Sequence, residues 1–566
     1  MTTLPPLAGA RERAPWTTQV LLLLALLPYV VGLGEPPLWD ANEPLYAEPP
    51  REALETGEWL APTWNYKPWF VRPPLATWVT IPSYALFGVS PFAARVPSAL
   101  AAMATILCAY ALGRAVAGRR AGVLAALVLS ATPRYWLFAR QFPGDVLVVA
   151  CLTGAFALAV PALLQRPEGR RRILWAHALV GLGTLSKGPV IAVLWLGPLL
   201  AAAWWARPRV PLSALRLRAG LAIGAAVALP WFAYMTARYG WDYPREFLGH
   251  HHVRRAVGGE VGSRPPWYLL LQVLGDAQPW LVFAPFAIWR SWKGRARDPL
   301  TLLAWAGAAF PLVFFSIPVG KRNVYLLPMY PMLAVAIAPF LLECLDGARA
   351  RLARWVGAAA AVVGIAAATL LLVARPNVPE DLGNVGLLYA GICALTAVAL
   401  AHAAWRGSGR AVVTRLLASV LSLLVLSAGA FHVLARHRPV PRFAATIVSL
   451  AREGDAAVVY GTSIHSLMYY ARRPTTVARN PAELLAALPE GRRAYVVGAE
   501  DKTEVLRSIE NLVVREVDRG SYFRFRFAHD VLGRGLGSPD LVLLEVARRG
   551  SATHEPVREG AGGNGR

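Results

Sequence analysis

Charge is scarce in this chain: only 16% of its 566 residues are Asp, Glu, Lys or Arg, while 56% are hydrophobic. That balance excludes an ordinary water-soluble protein, because the apolar residues come in long runs rather than periodic stripes. Cysteine is nearly missing. The four present, Cys108, Cys151, Cys344 and Cys393, fall in apolar runs and offer no disulfide framework. Lysine is scarce for a basic protein, with five positions, Lys67, Lys187, Lys293, Lys321 and Lys502, among 58 basic residues. A small-residue cleavage site after the first apolar run is lacking too, so that run reads as an uncleaved anchor. No internal repeat of the inverted-transporter kind is visible.

What is there is a series of runs long enough to cross a bilayer, which takes about 20 apolar residues per helix. They lie near 17–34, 91–113, 120–137, 144–164, 172–185, 188–206, 215–237, 266–291, 300–317, 324–344, 353–374, 384–404 and 412–434, which makes about thirteen spans. A shorter run at 75–88 reads as interfacial. The net charge of +24 would suggest nucleic acid in a soluble protein, but here the Arg residues fall in alternate loops. Arg11 and Arg13, then Arg114 to Arg120, Arg166 to Arg172, Arg207 to Arg218, Arg290 to Arg297, Arg349 to Arg354, and Arg406 with Arg410 all mark one side. By the positive-inside rule that side is the cytoplasm. The N-terminus is then cytoplasmic and the tail extracytoplasmic, and no nucleic-acid partner is expected.

Four regions follow: a membrane module over 1–345 with nearly all the polar features, a plainer three-span scaffold over 346–435, a small α/β domain over 436–550, and a disordered tail over 551–566. In the third, AAVVYG at 456–461, AYVVGA at 494–499 and LVLLEVA at 541–547 read as buried strands, with helices near 480–488 and 501–512.

The first extracytoplasmic loop, 35–75, reverses the local charge with Asp40, Glu43, Glu48, Glu52, Glu55 and Glu58. A carboxylate just outside the membrane can act as a general base on an acceptor hydroxyl, provided cations hold a leaving phosphate. Glu52, Glu55 and Glu58 have the spacing of a solvated amphipathic helix face, whereas Asp40 and Glu43 precede that helix. Lys187 in LSKGP and Lys321 in VGKRNVYLLP sit in tight turns where a compact ammonium suits a phosphate oxygen, the alternative being snorkelling to headgroups. Asp145 opens an apolar helix and needs a partner, either the helix N-terminus or a loop cation. HHHVRR at 250–255 invites a metal reading, but three adjacent His cannot face one ion unless the backbone curls, and no carboxylate at ligand spacing stands out. No metal or other cofactor is expected, and Arg254 and Arg255 read as anion contacts.

LWDANEPLYAEPPREALETGEWLAP, VRPPL, LFGVSPFAARVPSAL, LSKGP, HHHVRR, PPWYLL, QPW and FFSIPVGKRNVYLLP, in this order over roughly 15–345, resemble the aminoarabinose transferase and protein O-mannosyltransferase superfamily of GT-C membrane glycosyltransferases. The resemblance implies an α-helical polytopic fold with an extracytoplasmic α/β domain, placed in the bacterial inner membrane. It implies inverting transfer of a sugar from a polyprenyl-phosphate donor to a lipid A-like glycolipid or a protein. Arg72, Lys187, His252, Arg255, Lys321 and Tyr325 stand where the family places donor-phosphate contacts, and Asp145 matches an acidic position. Two departures stand out. Asn42 occupies the position of the family's catalytic Asp, so that Asp40 or Glu43 would serve instead, and Val71-Arg72-Pro73 replaces the family's Glu-Lys-Pro. These departures leave a second reading, a non-catalytic binder or translocator of polyprenyl-linked sugars; a conventional secondary transporter is third.

Overall fold

A helix satisfies its own backbone polar groups, which a segment in hydrocarbon must do. In the computed structural model of the chain, which describes residues 15–40, 42–141, 143–254, 258, 263–293, 297–522 and 540–549, the membrane-length apolar runs are mainly helical. The expected disordered tail, 551–566, lies outside the described residues. The described chain divides into two units. One comprises the residues up to Glu35, Pro49–Thr63 and Pro68–Phe431; the other comprises Pro36–Glu48, Trp64–Lys67 and the chain from His432 onward.

The first unit is a bundle of apolar helices. Among the described residues seven are long and apolar enough to cross a membrane: Pro91–Ser130, Pro143–Leu163, Leu212–Tyr239, Pro299–Ser316, Arg354–Ala374, Glu380–Trp405 and Gly409–Arg436. An eighth is reached if Tyr268–Asp276 and Trp280–Lys293 form one span; the pair is bent by 103°, so the expected run 266–291 is not a straight helix. The distance from thirteen has physical causes. Pro91–Ser130 contains two of the expected runs, broken where Ala117 leaves helical geometry and Gly118 adopts φ +84°. A Cβ on Gly122 would lie 2.6 Å from the Tyr110 carbonyl oxygen, so the two halves fold back on each other as a hairpin. Gly169–Lys187 begins on Arg170, Arg171 and Arg172. Val190–Trp205 and Met329–Leu345 have 16 and 17 residues, short of the roughly 20 that cross without help. The run at 75–88 is the helix Leu75–Phe87, largely buried in the bundle. Residues 346–431 cluster with the preceding helices rather than apart from them.

The second unit is an α/β sandwich. Strands β1 (Ala456–Tyr460), β2 (Thr475–Ala478), β3 (Arg493–Ala499), β4 (Leu512–Gly520) and β5 (Leu541–Arg548) form one sheet in the order β2-β1-β3-β5-β4. β2, β1 and β3 are parallel; β5 runs antiparallel to β3 and β4. Side chains alternate between two cores. Val459, Tyr495, Val497 and Leu543 pack with Phe443, Ile447 and Leu467 on one face. Val458, Val496, Leu544 and Val546 pack with Leu484 and Leu506 on the other. Cover on both faces explains why the central strands read as unbroken apolar runs.

Candidate active site

In the first unit the sequence places two opposite charges at two helix ends. Asp145 lies in the first turn of Pro143–Leu163 and Lys187 in the last turn of Gly169–Lys187. A helix N-terminus favours an anion and a C-terminus a cation, so each side chain sits where the helix dipole suits it. Gly188 ends the Lys187 helix with φ +93°, a left-handed conformation that only glycine adopts freely, and its amide donates to the Thr184 carbonyl. Ser186 Oγ donates to the Gly144 carbonyl at 2.7 Å, tying the two ends together. Lys187 Nζ then donates to Asp145 Oδ1. Asp145 is 5% exposed and so depends on its partner.

Tyr325, on the 3₁₀ turn Asn323–Leu326, presents its ring to Lys187 Nζ at 5.1 Å from the centroid and stacks on Phe315. Arg72 and Arg322 both lie within electrostatic reach of Asp145. Asp145, Lys187, Leu194, Phe315 and Tyr325 line one cleft. Three cations gathered around one carboxylate are the residue types that hold a phosphate group.

The expected cation of the second turn is placed differently. Lys321 is buried, and its ammonium donates to the carbonyls of Arg264, at 3.0 Å, and Pro318. Its neighbour Arg322 is the exposed one and acts on Asp145. Sequence reasoning missed Arg322, although it stands three residues before Tyr325 in the same run. Arg255 and the side chain of His252 lie outside the described residues.

The loop carboxylates separate by environment. Asp40, in the second unit, is 3% exposed. Oδ1 accepts from the Ser466 amide at 3.1 Å and from Ser466 Oγ, and Oδ2 accepts from Tyr522 OH at 2.5 Å. Arg438 lies 3.8 Å from the same oxygen and stacks over Trp39, 4.3 Å from its centroid. Such a carboxylate is an anchor: three hydrogen-bond donors occupy its oxygens, with the Arg438 guanidinium close by. Glu43, also in this unit, is buried and accepts from the Trp39 amide at 2.7 Å, just ahead of the helix Pro44–Thr56. Asn42 is half-buried beside it.

In the first unit Glu52 is buried rather than solvated, and Thr63 Oγ1 donates to it at 2.5 Å. Glu55 is exposed and pairs with buried Arg51 at 2.5 Å. Glu58 pairs with Arg238 at 2.6 Å. Burial pushes the Glu58 carboxyl up, but the Ala61 amide and the Arg238 guanidinium outweigh it and hold the group below its ordinary value.

Residues 71–234 match the family model described as dolichyl-phosphate-mannose-protein mannosyltransferase. The chain is 31% identical over 441 residues to the undecaprenyl phosphate-alpha-4-amino-4-deoxy-L-arabinose arabinosyl transferase of Pseudomonas aeruginosa, covering 75% of this chain and 78% of that one. It is 31% identical over 433 residues to the same-named protein of Pseudomonas paraeruginosa, covering 74% and 76%. The fold matches the crystal structure of ArnT from Cupriavidus metallidurans bound to undecaprenyl phosphate, with a TM-score of 0.76, 21% identity, and coverage of 94% of this chain and 98% of that one.

Proposed function

Since the chain belongs to the aminoarabinose transferase and protein O-mannosyltransferase superfamily of GT-C glycosyltransferases, we propose that it moves a sugar from a polyprenyl-phosphate donor to a glycolipid or protein acceptor on the outer face of the inner membrane. One observation carries the donor assignment: three cations, Arg72, Lys187 and Arg322, gather around Asp145 at one cleft. The phosphate of a polyprenyl donor gains negative charge as the glycosidic bond breaks, and fixed cations favour that state over the ground state. Tyr325 positions the Lys187 ammonium through its ring face. With Asp40 held by three hydrogen-bond donors, Glu43 is the loop carboxylate we assign to the acceptor hydroxyl. The Arg-rich loops support a cytoplasmic N-terminus and an extracytoplasmic tail.

The test is transfer of labelled sugar from a purified undecaprenyl-phosphate donor, starting with 4-amino-4-deoxy-L-arabinose because the relatives are named for it. Arg72→Ala and Arg322→Ala are each expected to lower turnover by about 10²-fold, and Lys321→Ala to act only through stability. Full turnover in the Arg72→Ala, Arg322→Ala double variant would defeat the assignment. Asn42 and Val71 favour one rival, a binder of polyprenyl-linked sugars that does not transfer them. Donor binding with no product on any acceptor, in wild type and in Asn42→Asp, Val71→Glu alike, would select it.

A further inference from the structure

Adjacent histidines make a poor metal motif on an α-helix, where successive side chains fan out by about 100°. Residues Arg245–Arg254, however, form a π-helix. Its i→i+5 hydrogen bonds widen the turn, so that positions i+4 and i+5 flank residue i, whereas an α-helix would carry i+5 about 140° away. Glu246, His250 and His251 stand in that relation. The curled backbone thus supplies what the HHH run lacks as a sequence: the His250 and His251 rings converge on one carboxylate from one turn earlier.

Distances sharpen the point. Glu246 Oε1 lies 3.3 Å from His250 Nδ1 and 3.2 Å from His251 Nε2. One ligand atom from each of the three residues lies within 4.8 Å of the others. Charge-assisted N–H···O bonds close to about 2.7–2.9 Å, so these contacts are long for hydrogen bonds. Ligands about 2.0–2.1 Å from a tetrahedral zinc ion stand roughly 3.3 Å apart, and the two Glu246–His distances have that length. The His251 side chain is 9% exposed, while those of Glu246 and His250 are 46% and 35% exposed, so the cluster lies at the protein surface with one ring packed inward. π-Helical turns are rare and are frequently found at functional sites.

We infer that Glu246, His250 and His251 bind a divalent cation of the zinc class. Two imidazoles and one carboxylate suit Zn²⁺, Co²⁺, Ni²⁺ or Cu²⁺ far better than Mg²⁺ or Ca²⁺. Three protein ligands leave a fourth position for water or an oxyanion. This inference departs from the expectation of no metal and does not rest on the proposed sugar transfer.

The experiment uses the full-length protein in detergent, free of any polyhistidine tag and stripped with chelator. Titration with Co²⁺ is read by visible absorption, and with Zn²⁺ by calorimetry. One saturable site per chain is expected, with the absorption bands of a four-coordinate ion. Glu246→Gln and His250→Asn, both partly exposed, are each expected to weaken binding at least tenfold while thermal unfolding without metal stays unchanged; His402→Asn should bind as wild type. Absence of stoichiometric Co²⁺ bands in the wild type, or their survival in the Glu246→Gln, His250→Asn double variant, overturns the inference. So does loss of binding on His252→Asn with Glu246→Gln unaffected.

Discussion

Lys187 closes one helix, Asp145 opens another, and their side chains form an ion pair at the rim of the cleft that Tyr325 lines. Breaking a buried pair from one side leaves an uncompensated charge, at a cost of about 3–5 kcal/mol. Asp145→Asn and Lys187→Met should each lower the thermal midpoint of the detergent-solubilised protein. The double variant should recover most of that loss and still fail to transfer sugar. A double variant as active as wild type would reduce the pair to a structural role.

Asp40 and Glu43 are expected to separate cleanly. Asp40→Asn removes the charge that Ser466, Tyr522 and Arg438 hold, so it should expose the second unit to limited proteolysis while turnover per intact molecule changes little. Glu43→Gln should do the reverse. Protease resistance identical to wild type in Asp40→Asn would refute the anchoring role.

Glu58 gives a pH dependence with a definite sign. Its folded value lies below the ordinary 4.5 through the Ala61 amide and Arg238. The stabilisation is therefore complete above 4.5 and is lost as pH falls through the lowered folded value. Thermal midpoints recorded from pH 6 downward should fall less steeply for Glu58→Gln than for wild type in the acid window below that point. Parallel curves would show that the Arg238 contact contributes nothing.

The legible parts of the sequence were those whose environment is uniform. Helices in the bundle and the central strands β1, β3 and β5 are apolar all round, so simple runs revealed them. β2 and β4 escaped because they are edge strands. β2 has four residues, and β4 carries Arg515, Glu516, Asp518 and Arg519 with a bulge between Glu516 and Asp518. At the site, Asp145 and Lys187 were legible as charges out of place. Choosing between Lys321 and Arg322 was beyond sequence, since which of two neighbours faces inward is decided by the fold of one turn. The π-helix was equally hidden: nothing in REFLGHHHVR distinguishes an i→i+5 ladder from an α-helix before packing selects it.

The anchoring of Asp40 also sets a schedule for biosynthesis. Tyr522 follows Asp40 by 482 residues, an interval on the order of a minute at about 5–20 residues per second. Throughout that interval the carboxylate has left the ribosome without its last ligand. The segment that bears Asn42 and Glu43 therefore reaches its final form only after Tyr522 has been made. A nonsense mutation late in the gene would then act on a segment encoded near its start.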